Sequence, residues 1–358
     1  MEEIETFEIE PVDEIKIFDV LGDYAGTEGS VIKDKNGKDI LIPYGNYDLF
    51  DLKNSLSGAH AFCNYIKITK GKESRYLMFD TGQNESALEH NTKVLSSLDK
   101  DFDPKRTEML LLSHGHTDHY GNLNKALEII NPDAKREVPL YISGETFWNP
   151  RAKIPKESNI ETKDYIIYKP DKKQAEERGG KWISSYHPKL LIDNMVLYLG
   201  SIRPEAKKIG VAKDYEMKPR PWPKIYTCDN NGNAVSEDHA EEDTSIAFNL
   251  KDKGLVVITG CSHAGVNTSL NYAKTISGTD KVYCYYGGFH PNTDPEATAK
   301  DLLEQNIRYL IPTHCSPSHL INFLWKRNQE SEKGFMLTKN HLAPVGHTYI
   351  FSRNYQDS

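Results

Sequence analysis

Ser113-His114-Gly115-His116-Thr117-Asp118-His119-Tyr120-Gly121-Asn122 is the stretch on which the reading of this chain turns. Three imidazoles and one carboxylate fall between His114 and His119. Two imidazoles two residues apart in an extended loop reach one cation from the same side, and Gly115 lets the backbone fold tightly between them. Asp118 and His119 stand one step further on and reach a second ion. Imidazole with carboxylate suits zinc, iron, manganese or cobalt. The spacing matches neither a zinc finger nor an HExxH helix. A polar surface loop is the alternative, and the residues just before the segment argue against it. Met109-Leu110-Leu111-Leu112 is wholly apolar, as in a strand buried on both faces.

Outward from that strand, Ala61–Ile68 and Arg75–Asp80 flank the turn Lys70-Gly71-Lys72 and predict a β-hairpin ending in Asp80-Thr81-Gly82. Ile15–Val20 predicts an earlier strand. Helices are expected over Glu85–Leu98 and Asn122–Ile130. A second hairpin, Thr244–Leu250 with Leu255–Thr259, ends in Gly260-Cys261-Ser262-His263. A helix over Thr268–Ile276 and a strand over Val282–Tyr286 lead to Gly287-Gly288-Phe289-His290. A helix over Pro295–Asn306 and a strand over Ile307–Ile311 lead to Pro312-Thr313-His314-Cys315, and His347–Phe351 predicts a last strand. Residues 132–240 are rich in proline and lysine. They show strands only at Leu140–Ser143, Met195–Leu199 and Lys224–Cys228, so they read as long loops or an insertion covering the site.

Apolar strands therefore end, one after another, in short turns bearing Asp80, His114, His263, His290 and His314. Strands of one sheet bring such turns to a common edge. His263 and His314 are the expected additional metal ligands. His290 stands in a similar turn and is expected beside them either as a further ligand or as a catalytic group that meets the substrate. Asp80 is expected to orient a ligand histidine, as carboxylates behind metal ligands do. His60 and His347 are candidates for the pocket wall. Cys261 and Cys315 flank proposed ligands, and a buried inert thiol is the favoured reading of each. The basic residues Arg203, Lys207, Lys208 and Arg220 offer a phosphate contact, but a solvated face is the favoured reading.

The 358 residues are 38% hydrophobic and 27% charged, enough for a packed core. A net charge of −8 argues against general affinity for nucleic-acid phosphates. No apolar run is long enough to span a bilayer. The acidic start MEEIETFEIEPVDE lacks the basic and apolar regions of a secretory signal. Five scattered cysteines, none in a CxxC pair, make a disulfide framework or zinc knuckle improbable. The cytoplasm is the expected compartment.

The segment HGHTDH resembles the HxHxDH signature of the metallo-β-lactamase superfamily, and LMFDTG resembles that superfamily's strand-ending aspartate. TGCSHAG, YYGGFHP and IPTHC are similar to one branch, the dihydropterin–ribofuranosylaminobenzene 5'-phosphate synthase-like proteins. The resemblance implies an α/β fold, an αββα sandwich of two mixed sheets flanked by helices. It fits a single domain over residues 1–358 with an insertion at about 132–240. It implies one or two divalent ions, zinc first, with iron or manganese as alternatives. His114 and His116 would hold one ion, Asp118 and His119 the other. The implied activity is metal-dependent hydrolysis of a small, phosphorylated molecule, with Asp118 positioning water and His290 or His347 steadying the leaving group. Transfer of a pterin diphosphate to an aminobenzene ribotide, and redox chemistry at two irons, are the alternatives. Neither a nucleic-acid nor a membrane partner is expected, and homo-oligomerisation is left open. The chain departs from the superfamily pattern in lacking a bridging aspartate after the strand ending at Gly260, where His263 substitutes or no bridge exists. His239 is a weak match to an upstream histidine, and Gly346-His347 stands where the branch usually has Gly-Ser.

Overall fold

The computed structural model describes residues 4–23, 32–34, 36–43, 55–154, 167–218, 224–229, 231–290, 294–305, 307–330 and 345–355. Arg220 lies outside them. Among the described residues the strands form three sheets. The largest runs in the spatial order Gly180–Ser184, Val138–Ile142, Met109–Leu111, Glu73–Phe79, Cys63–Lys70, Glu14–Leu21, His347–Ser352, Asp39–Pro43, Ile32–Lys33. The second runs Lys189–Leu191, Val196–Tyr198, Ser245–Leu250, Gly254–Thr259, Val282–Gly288, Tyr309–Thr313. Both are mixed. The expected hairpins are antiparallel, with Cys63–Lys70 on Glu73–Phe79 and Ser245–Leu250 on Gly254–Thr259. Where the strands that feed the motif turns pair with one another, they run parallel.

Apolar alternation puts the two sheets face to face. Ile15, Ile17, Ile66, Phe79 and Leu111 of the larger sheet share one buried cluster with Ile246, Phe248, Val256 and Ile258 of the smaller. The Tyr286 hydroxyl, from the smaller sheet, donates to Asn64 Oδ1 of the larger at 2.7 Å. The outer face of the larger sheet is covered by helices Glu85–Leu98 and Leu123–Ile130, whose Leu88, Leu95, Leu123 and Leu127 are buried in a second cluster. Helices Ile202–Lys208, Val266–Ser277, Pro295–Glu304 and Ser318–Glu330 contribute to a third cluster with the smaller sheet. The result is the expected αββα sandwich. The all-apolar run at Met109 is explained by this layering: Leu110 packs into the outer cluster and Leu111 into the inner one.

Residues 132–240 contribute to every sheet. They supply Val138–Ile142 and Gly180–Ser184 to the first, Lys189–Leu191 and Val196–Tyr198 to the second, and the whole of a third. That small sheet joins Ala234–Glu237, Lys224–Cys228, Arg151–Ile154 and Ile167–Tyr168. Gly180–Ser184, Lys189–Leu191, the outer strands Ile32–Lys33 and Asp39–Pro43, and the helix Ser318–Glu330 carry weak sequence signals and were not anticipated. Among the described residues no helix is long and apolar enough to cross a membrane.

Candidate metal centre

Parallel strands in open α/β sheets present their ligand-binding turns at their carboxyl ends. Here Glu73–Phe79, Met109–Leu111, Gly254–Thr259, Val282–Gly288 and Tyr309–Thr313 deliver Asp80, Ser113 to His119, Cys261 to His263, His290 and His314 to one edge. Three of these turns hold a non-glycine residue in the left-handed region: Asp80 at φ 59°, Ser262 at φ 57° and His314 at φ 45°. That conformation is costly for such residues and persists only where surrounding contacts hold it. The segment His114–His119 is only partly extended. His116 precedes a helical turn, Thr117–Tyr120, which carries Asp118 and His119. Gly115 is needed for a reason other than backbone flexibility: a Cβ there would stand 2.2 Å from Nη1 of Arg151.

The ligand candidates gather into two adjoining triads. In the first, His114 Nε2 lies 2.9 Å from His116 Nδ1, and His263 Nε2 lies 3.1 Å and 3.2 Å from those two atoms. In the second, His314 Nε2 lies 3.1 Å from Asp118 Oδ2 and 3.2 Å from His119 Nε2. His114, His119, His263 and His314 are at most 4% exposed. Lone pairs crowded this closely repel one another unless a cation or proton sits among them, so the donor set fits one or two metal ions.

The opposite ring nitrogens show which lone pairs are available. His119 Nδ1 donates to Asp80 Oδ2 at 2.7 Å. His114 Nδ1 donates to the Ser113 hydroxyl at 2.9 Å, and that hydroxyl donates to Asp80 Oδ2 at 2.6 Å. The Ser113 amide donates to Asp80 Oδ1 at 2.7 Å. His116 Nε2 donates to Asp238 Oδ2 at 3.1 Å, and His314 Nδ1 to Asp23 Oδ1 at 3.1 Å. The network thus assigns tautomers in which His114 and His119 turn a bare Nε2, and His116 a bare Nδ1, toward the centre, while His314 Nε2 faces Asp118.

Charge follows the same pattern. Burial, with repulsion from His119 and His116, holds the His114 ring well below its usual range, hence neutral and able to donate a lone pair. Burial alone would raise the Asp118 carboxyl, but attraction to His119 and hydrogen bonds from His314 and His60 hold it far below the ordinary carboxylate range. Burial likewise works against the Asp238 carboxylate, and the Arg151 guanidinium and the His116 hydrogen bond outweigh it.

The remaining candidates take distinct places. His60, with a side chain 62% exposed, is at the rim rather than apart from the site. Its Nδ1 meets Asp23 Oδ1 at 3.0 Å, its Nε2 is 3.3 Å from Asp118 Oδ2, and its ring stacks on His314 at 5.0 Å. Hydrogen bonds to Asp118 and Asp23 push it up to about 9. His290 belongs to neither triad; its ring lies 5.3 Å from that of His263 and its amide donates to the Cys261 carbonyl. His347 is buried on the last strand with Nδ1 3.4 Å from the Tyr349 hydroxyl, outside both triads. Arg203 is neither a solvated residue nor a phosphate contact. It is buried, and its Nη2 donates to the His263 carbonyl at 2.6 Å. Lys207 and Lys208 are exposed. Cys261 does not stand off from the ligands: its Sγ is 3.0 Å from His119 Nε2.

Sequence reasoning missed the residues that brace the ligands. Asp238, Glu242 and Asp243 come from Asp238-His-Ala-Glu-Glu-Asp243, where His239 alone was considered. Glu242 Oε1 accepts the Gly115 amide at 3.0 Å, and Asp243 Oδ2 accepts the Ala264 amide at 2.9 Å. Arg151, 1% exposed, donates from Nε to Asp238 Oδ2 at 2.6 Å and from Nη2 to Glu242. The available signal was four acids in six residues directly before a core strand. Asp23, which joins His60 to His314, gave none.

Comparison with known proteins agrees with this geometry. Residues 61–189 match the profile of the metallo-β-lactamase superfamily. A Methanocaldococcus jannaschii protein named 7,8-dihydropterin-6-methyl-4-(β-D-ribofuranosyl)-aminobenzene-5'-phosphate synthase is 27% identical over 309 residues, 85% of this chain and 88% of its own length. A second protein of that organism, the uncharacterized protein MJ0448, is 25% identical over 72% of this chain and 84% of its own. The crystal structure of Tm1679, described as a metal-dependent hydrolase of the β-lactamase superfamily, superposes with a TM-score of 0.60 at 18% identity, covering 94% of this chain and 99% of that one. The segment matching the superfamily profile holds His114, His116, Asp118 and His119, and the metallo-β-lactamase fold extends over nearly the whole chain.

Proposed function

We propose that this protein is a metal-dependent enzyme that breaks a phosphoester or related bond in a small, phosphorylated molecule. The supporting observation is the pair of adjoining triads, His114–His116–His263 and Asp118–His119–His314, with bare ring nitrogens facing inward. One or two divalent ions held there, zinc first with iron or manganese as alternatives, would supply an acidified water and positive charge for the developing anion. The chain's own groups do the rest. Asp118 Oδ2 orients water and takes its proton, and His60 Nε2, 3.3 Å away on a largely exposed ring, holds that carboxylate in place. The Phe62 ring packs against His119 and His314 at 5.8 Å from each and keeps bulk water from their faces. His290, beside His263, steadies the leaving group. The insertion at about 132–240 shapes the substrate side through its small sheet. The free cysteines fit a reducing cytoplasm.

The test is phosphate release from a panel of phosphomonoesters, and alcohol release from a panel of phosphodiesters, by protein stripped with a chelator and reloaded with zinc, iron or manganese. Activity should vanish on stripping, return on reloading and be absent in His116→Ala. Reloaded wild type holding less than roughly a tenth of an ion per chain would sink the proposal.

A second reading is transfer, favoured by the name of the M. jannaschii relative, which aligns along 88% of its length. It joins a pterin diphosphate to an aminobenzene ribotide and releases diphosphate. Diphosphate release that depends on an aromatic amine acceptor would select it over hydrolysis.

A further inference from the structure

Among the described residues, the group that joins a member of each triad, His114 with His119, holds no carboxylate. A sulfur stands in that place. Cys261 leaves the strand Gly254–Thr259 two residues before His263, and it is 2% exposed. Its Sγ is 3.0 Å from His119 Nε2 of the second triad and within 4.8 Å of a ring nitrogen of His114 in the first. On the other side it lies within 4.8 Å of His314 and of the Cys315 sulfur. The backbone fixes it there. The Cys261 carbonyl accepts the His290 amide at 3.1 Å, and the Gly260 carbonyl accepts the Gly288 amide at 2.8 Å. A Cβ on Gly260 would stand 2.2 Å from the Ser113 hydroxyl, so the Cys261 turn is pressed directly onto the segment that carries His114.

We infer that Cys261 is a metal ligand, its sulfur completing the Asp118–His119–His314 site on the side facing His114. The inference rests on the metal-centre reading above. Binding replaces the S–H bond with an S–metal bond, and the proton leaves to solvent. A sulfur donor beside imidazoles selects thiophilic ions such as zinc, ferrous iron or cobalt over magnesium, calcium or manganese. Cys315 is the neighbouring control: it is half-buried, and its sulfur points at the Cys261 carbonyl at 3.9 Å.

The experiment uses full-length protein stripped and reloaded with cobalt(II) alone, in wild type, Cys261→Ser and Cys315→Ser. Wild type and Cys315→Ser should show an intense near-ultraviolet sulfur-to-cobalt charge-transfer band, and Cys261→Ser should lose it while keeping its visible histidine-type bands. An unchanged spectrum in Cys261→Ser overturns the inference, as does loss of the band in Cys315→Ser instead. Should Cys261→Ser fail to fold, X-ray absorption at the zinc edge of wild type decides. Sulfur in the coordination shell supports the assignment, and nitrogen and oxygen alone overturn it. Ions bound without sulfur leave the proposed function standing, whereas a chain that binds no ion removes both.

Discussion

Oδ2 of Asp80 stands 2.7 Å from Nδ1 of His119, and the same oxygen takes the Ser113 hydroxyl that receives Nδ1 of His114. One carboxylate therefore sets the tautomer of a ligand in each triad. Asp80→Asn keeps the shape but offers an amide where both partners need an acceptor. Metal affinity should fall about 10–100-fold, measured by competition with a chromophoric chelator, while the melting temperature of the stripped protein changes far less than its affinity.

Arg151 is an interior cation held between Asp238 and Glu242. Arg151→Met would leave two carboxylates buried without their counter-charge. Breaking such a pair typically costs about 3–5 kcal/mol, to be read from urea denaturation of the metal-free protein. Metal affinity should fall as well, because Asp238 loses the partner that aims it at His116 Nε2.

His290 lies next to His263 but outside both triads. His290→Ala should bind the same number of ions as wild type and lose about 100-fold or more in kcat. Loss of an ion in this variant, measured by mass spectrometry of the purified protein, would show that the histidine ligates instead.

In stripped protein, His60 is pushed up to about 9 from 6.5 by its hydrogen bonds to Asp118 and Asp23. A raised folded-state value means its contribution to stability is complete below pH 6.5 and disappears as pH rises through 9. Chemical denaturation of the chelated protein across that window should show a decline in wild type that is shallower in His60→Gln. Parallel curves for the two proteins would rule out the contribution.

Metal should also stabilise the fold, because the triads are assembled from strand ends far apart in sequence. Free ion at 100 times its dissociation constant adds about 2.7 kcal/mol. Calorimetry should show the melting temperature rising with zinc concentration in wild type and responding much less in His116→Ala.

The sandwich and the ligand turns were legible because their signals are local. Apolar runs such as Met109–Leu112 and Leu255–Thr259 end in short turns, and the strand order then brings the turns together. The braces were not legible, since Arg151, Asp238 and Glu242 acquire meaning only when the small sheet folds back onto Gly115. Arg203 reads as a surface cation from its neighbours Lys207 and Lys208, yet it points inward because the His263 carbonyl needs a donor there. Residues 132–240 looked like loops because their strands are short, as at Lys189–Leu191 and Val196–Tyr198, and their partners lie elsewhere in the chain.

The acidic run Asp238–Asp243 follows directly on the last strand of the small sheet and grips the turns of His116, Gly115 and Ala264. The segment proposed to shape the substrate side is thus anchored to the turns proposed to hold metal. Remodelling that sheet to change what the enzyme accepts would tug on its cation-holding apparatus, so altered selectivity and altered metal retention should arise together in variants selected from this region.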